Sequence, residues 1–101
     1  MKLFTIIMNF KETTPDKSTL DKVMPEHLDY FKKALNAGKI LISGPNALGN
    51  GGVIIMKATN LEEAKNFMST EPLTVNGFTS YTMVEFEAMD YLPILKDWLE
   101  K

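Results

Sequence analysis

Cysteine and arginine are absent from this chain, and histidine and tryptophan occur once each. Without cysteine there is no disulfide framework, no thiolate nucleophile and no thiolate metal site. A lone histidine, His27, does not make a transition-metal ligand set, so we expect no metal and no other cofactor. The missing arginine removes the usual two-pronged clamp for phosphate or carboxylate. All 11 cationic side chains are therefore lysines, scattered along the chain, and the net charge is −2. That excludes a dedicated nucleic-acid binder, which would carry a basic patch. Long apolar runs are also lacking. The first, Leu3 to Phe10, is interrupted by Thr5 and Asn9 and is followed by Lys11. It is too short and polar for a signal peptide, and no stretch approaches a membrane span. The expectation is a soluble cytoplasmic protein with no nucleic-acid and no membrane partner.

What is present fits one domain over residues 1–101, with a core from 3 to 88 and a helical extension from 90 to 101. Leu3 to Phe10 alternates as a strand, with Phe4, Ile6, Met8 and Phe10 on one face and Leu3, Thr5, Ile7 and Asn9 on the other. Thr14 and Pro15 carry a helix-start signal. Leu20, Val23, Met24, His27, Phe31, Ala34 and Leu35 then recur at helical spacing. Pro25 interrupts that pattern and disfavours helical dihedrals at Met24. The spacing thus predicts a short turn before Pro25 and a main helix from Pro25 to about Ala37, stopped by Gly38. Lys39 to Ser43 is a second strand, residues 44–52 a glycine-rich loop, and Val53 to Ala58 a third strand with apolar residues on both faces. Asn60 and Glu63 form a capping box for a helix ending before Pro72. Asn76-Gly77 is a turn, Phe78 to Ala88 a strand, and Pro93 to Leu99 a terminal helix.

The order strand, helix, strand, strand, helix, strand predicts an α+β, ferredoxin-like βαββαβ fold: an antiparallel sheet with both helices on one face. Two helices cover one face only, yet strands one and three are apolar on both. The bare face therefore calls for a second copy, a homodimer closing an α/β barrel from two chains, or a higher oligomer.

His27 is the only side chain whose unperturbed titration lies near neutrality. It falls on the apolar stripe, in the expected first turn of the main helix, where the helix dipole disfavours an extra proton. Two readings stand: a hydrogen-bonded core histidine, or a group held for acid–base chemistry. Glu71, pinned by Pro72, is either a solvated helix-end glutamate or a carboxylate turned inward. Ser43-Gly44-Pro45 closes a strand as a simple connection or as a close approach to a ligand. Asp16, Asp29, Glu62, Glu63, Asp90 and Asp97 suit exposed or capping roles. Gly49-Asn50-Gly51-Gly52 lacks the following Lys-Ser/Thr and leads into a strand, so it is no phosphate loop.

Pro25-Glu26-His27-Leu28-Asp29-Tyr30, Ala37-Gly38-Lys39-Ile40-Leu41-Ile42-Ser43-Gly44-Pro45, Gly51-Gly52-Val53, Glu62-Glu63-Ala64 and Glu71-Pro72-Leu73 together resemble the YCII-related (YciI-like) family. The resemblance runs from about Leu3 to Glu87. It implies dimeric α/β barrels and a pocket where a helix histidine meets an acid, here His27 and Glu71, beside Ser43, Gly44 and Pro45. Members often carry arginine where this chain has Met24, aspartate where it has Glu71, and phenylalanine where it has Leu73. One branch resembles a dehydrochlorinase of chlorinated hydroxyquinols. The resulting expectation is a lyase or isomerase that transfers protons without a cofactor on a small cyclic or aromatic compound. The alternatives are a non-catalytic small-molecule binder or sensor of the same fold, and a purely structural His27–Glu71 pair.

Overall fold

Alternation along β1 (Lys2–Phe10) sets the layers of the molecule, seen in a computed structural model that describes residues 1–12 and 16–101. Phe4, Ile6 and Met8 point to the buried side and are at most 4% exposed. β1 lies between β3 (Gly51–Ala58) and β4 (Thr79–Phe86), and β2 (Ile40–Pro45) flanks β3. The order β2-β3-β1-β4, antiparallel throughout, is the ferredoxin-like arrangement that the element order predicts. The core joins Phe4, Ile6 and Met8 to Ile54 and Met56 of β3. It also takes Ala34 of α1 (Lys17–Asn36), Ala64 and Met68 of α2 (Leu61–Ser69) and Leu73 of α3 (Pro72–Val75). All the packed helices thus share one face of the sheet. Each large apolar side chain buried there contributes roughly 1.5–3 kcal/mol.

The opposite face presents Ile7, Ile42, Val53, Val84 and Phe86, each more than a third exposed. One end of that face is covered. The chain runs from β4 through a 3₁₀ turn, Pro93–Leu95, into α4 (Lys96–Glu100). There the Trp98 indole donates to the Gly38 carbonyl at 2.9 Å, and Lys57 Nζ lies 4.6 Å from the Trp98 ring centroid. Lys57 also donates to the Trp98 carbonyl. Trp98 therefore packs on its own chain.

Several boundaries differ from expectation. The Thr14–Pro15 start signal lies outside the described residues; α1 begins at Lys17, capped by Asp16, whose carboxylate accepts from the Thr19 amide at 2.9 Å. Pro25 does not divide this helix, which is continuous over 20 residues. A proline inside a helix costs about 3 kcal/mol. Leu20, Val23 and Met24 before it and Phe31 and Ala34 after it all pack on the core, so their common burial holds both halves in one helix. Leu35, placed on that stripe by spacing, is half exposed instead. β2 extends through Gly44 and Pro45, which pair with Val53 and Gly52, and the hairpin loop shrinks to residues 46–50. Pro45 is tolerated because β2 is an edge strand. The Glu63 carboxylate bonds the Thr59 amide rather than that of the cap, Asn60. β4 is shorter than predicted at both ends, and the terminal helix opens as a 3₁₀ turn.

Candidate functional site

His27 lies midway along α1, not in its first turn, so the dipole argument does not apply to it. Its ring meets the edge of Phe31, one turn on, with centroids 4.8 Å apart. Phe31 in turn packs edge-on against Phe67 of α2 at 5.6 Å. Tyr30 ties the same two helices together: its hydroxyl donates to the Phe67 carbonyl at 2.7 Å and lies 2.8 Å from Thr70 Oγ1. Burial, joined by the negative charge of Glu71, pushes the Tyr30 phenol up from its ordinary value. These contacts fix α1 against the end of α2, where Glu71 begins.

Glu71 is wholly buried. Sequence reasoning ended a helix at this point and missed that another starts: Glu71 caps α3, with Pro72 at its first position. Its Oε1 accepts from the Leu73 amide at 3.0 Å and from His27 Nδ1. Its Oε2 accepts from the Thr74 amide and the Thr74 hydroxyl, each at 3.0 Å. Since that hydroxyl donates to Glu71, the bond between Thr74 and Thr79 runs from the Thr79 hydroxyl, at 3.2 Å. Burial pushes the Glu71 carboxyl up, but the His27 bond and the Leu73 and Thr74 amides outweigh it and hold the carboxyl below its ordinary 4.5. An ionised carboxylate only accepts, so His27 Nδ1 must be the donor. Nε2 has no hydrogen-bond partner among the described residues, and no buried side-chain nitrogen or oxygen is left unsatisfied. Nε2 therefore keeps some contact with solvent, on a side chain that is 13% exposed.

His27 forms part of the wall of a cavity of about 460 Å³, between α1 and the β2–β3 hairpin. Met24, Leu28 and Phe31 complete the helical wall; Met8, Phe10, Ile54 and Leu73 close the inner side; Ser43, Gly44 and Pro45 form the edge with the glycines of the hairpin. At Gly51 and Gly52 the strand wall is bare backbone for a steric reason. Gly51 has φ +155°, and a Cβ built there would lie 1.8 Å from the Met8 carbonyl oxygen. A Cβ at Gly52 would come within 3.1 Å of the Gly44 carbonyl oxygen. The fold thus brings His27, Ser43, Gly44 and Pro45 to one cavity, with Glu71 behind the histidine and outside the lining.

A family model for the YCII-related domain matches residues 2–87. The chain belongs to the YCII-related domain family. No curated protein matches it. Among solved structures it is similar to 5-chloro-2-hydroxyhydroquinone dehydrochlorinase (TftG) from Burkholderia phenoliruptrix AC1100, in complex with 2,5-dihydroxybenzoquinone. The TM-score is 0.68 at 20% identity, over 84% of this chain and 93% of that one. At this identity the likeness carries the fold.

In this YCII-related chain, sequence reasoning missed Thr74, Thr79 and Tyr30, which hold Glu71 and the two helices in place. The Glu-Pro pair was the available signal for α3, and through it for Thr74, because a carboxylate before proline is a helix-start pattern. Tyr30 gave none, since its partners lie 37 and 40 residues away. Among the described residues no helix is long and apolar enough to cross a membrane, and no cluster of metal-ligating side chains occurs.

Proposed function

We propose that this chain is a small cytoplasmic enzyme that transfers protons without a cofactor, a lyase or isomerase acting on a small cyclic or aromatic compound. His27 is its general base or acid, Glu71 orients the ring, and Ser43, Gly44 and Pro45 contact the substrate. The observation that carries this reading is the division of labour on one imidazole: Nδ1–H is held by a buried, fully bonded carboxylate, while Nε2 has no partner among the described residues on a ring that lines an apolar cavity. In the reaction Nε2 takes a proton from substrate carbon or oxygen, and the Glu71 carboxylate across Nδ1–H balances the imidazolium. The proton then returns to another substrate atom in an isomerisation. In an elimination the electron pair of the broken C–H or O–H bond expels a leaving group as the new double bond forms. The similar solved structure, named a dehydrochlorinase, supports the elimination variant.

Positioned acid–base catalysis is worth roughly 10²–10⁴-fold. Once a panel of cyclic metabolites yields a turned-over compound, His27→Asn should lower kcat by that factor; unchanged turnover would remove His27 from the mechanism. A second reading, binding without turnover, is favoured by the scarcity of polar side chains in the lining, where His27 and Ser43 are the two among the described residues. A compound that is bound stoichiometrically and recovered unaltered would establish it.

We also place a second copy on the open sheet face, giving a homodimer or a higher oligomer. Five apolar side chains exposed together on one face support this. A stable monomer by light scattering at micromolar concentration would contradict it.

A further inference from the structure

We propose that the cavity beside His27 selects uncharged ring compounds over carboxylates and phosphates of the same size, and that Met24 is the residue that sets this preference. The inference rests on the cavity being the working site proposed above and adds the charge class of its ligand.

Among the described residues no cationic side chain lines the cavity. None of the 11 lysines reaches it, and the chain has no arginine. The nearest buried charge is negative, because the Glu71 carboxylate lies directly behind His27. Taken with Glu71, the imidazole carries no net positive charge in either protonation state. Backbone amides can substitute for cations when several converge on an anion. Here three of the hairpin's amides are committed: the Asn46 amide donates to the Gly51 carbonyl at 2.9 Å and the Gly49 amide to the Asn46 carbonyl at 3.0 Å. The Leu48 amide donates to Asn46 Oδ1 at 2.8 Å, and Pro45 has no N–H to offer. An anion entering this space would give up its water with no cationic side chain to compensate, which opposes binding. A neutral ring meets thioether, aromatic and aliphatic walls and finds two polar side chains, His27 and Ser43.

Size sets the scale of the ligand. A cavity of about 150 Å³ holds a benzene ring, so about 460 Å³ takes one ring with substituents or a fused pair. Met24 is singled out by position. It lies three residues before His27 in the same helix, so the two side chains are neighbours, and both line the cavity. A cation at that point would sit beside the imidazole. The thioether there is apolar and adaptable.

The test compares 4-hydroxybenzamide with 4-hydroxybenzoate, two rings of equal size that differ in charge, by NMR titration of the full chain. The native protein should bind the amide at least about tenfold more tightly, Met24→Lys should reverse that order, and Met24→Gln should narrow it. Equal or tighter binding of the carboxylate by the native protein overturns the ligand class, as does binding of neither compound. An unchanged ratio in whichever of the two variants folds overturns the role of Met24. The native comparison needs no variant and stands if neither folds. Repeating it with His27→Asn separates the two proposals. Preference for the amide kept in that variant, with no compound turned over by the native chain, discards proton transfer and leaves the selection. Turnover with no charge preference does the reverse.

Discussion

Glu71 and Lys57 are both buried, at 0% and 7% exposure, but their surroundings differ in kind. Glu71 lies on the helix-covered side of the sheet. Four donors from His27, Leu73 and Thr74 fill both of its oxygens, and the elements that supply them are packed into the core. Lys57 lies on the other face. A carbonyl and an indole ring from the C-terminal segment hold it, and the segment itself is tethered by one indole bond to Gly38. The first charge is built into the domain and aims a histidine at a cavity. The second is covered by a stretch that lies past residue 87, where the family match ends. A buried charge thus reports function more strongly when its partners are rigid and one of them faces an open space.

The largest effect that would sharpen this contrast comes from Glu71→Ala. It leaves His27 and three other donors without their acceptor, and removing one partner of a buried pair costs about 3–5 kcal/mol. Urea unfolding should show a loss of that size; a loss below about 1 kcal/mol would make Glu71 no different from a surface acid. Trp98→Ala should cost less, on the order of 2 kcal/mol, since the indole is only partly buried and anchors a terminal segment. A loss equal to that of Glu71→Ala would abolish the distinction.

Acid should separate the two regions again. The folded-state pKa of Glu71 is depressed, so its contribution is complete above the ordinary carboxylate value of 4.5 and is lost as pH falls through the folded value. Unfolding midpoints should therefore fall with acidification below that range, more shallowly in Glu71→Gln than in the native chain. Parallel curves would remove Glu71 as the source. The smallest effect is expected for Lys57→Met, which replaces a buried cation by an apolar side chain of similar length. Calorimetry should record a change within about 1 kcal/mol of zero.

Much of the layer arrangement was legible because it depends on local alternation. Phe4, Ile6 and Met8 against Thr5 and Ile7 announce a sheet with two unlike faces, and Asn60 announces α2. The continuity of α1 was not legible. Local stereochemistry at Met24-Pro25 favours a break, and only packing by residues on both sides of the proline reverses that preference. The same limit applied to the site. His27 stood out by its rarity and Glu71 by its proline. Their meeting spans 44 residues, and Thr74, the threonine that finishes the carboxylate's bonding, lies in a helix of four residues, too short for any periodicity to reveal.

The tight approach of Gly51 to β1 bears on how this cavity can change over time. A side chain at Gly51 would occupy the space of the Met8 carbonyl, and one at Gly52 would press on Gly44. Gly51 is therefore closed to variation and Gly52 tightly restricted. Diversity can enter from the helix and the rim, through Met24, Leu28, Ser43 and also Gly44, where an added Cβ meets nothing within 4 Å. A mutant library aimed at new ligands should be spent on those positions. Descendants of this chain that acquire different chemistry should differ there, while Gly51 and Gly52 stay the same.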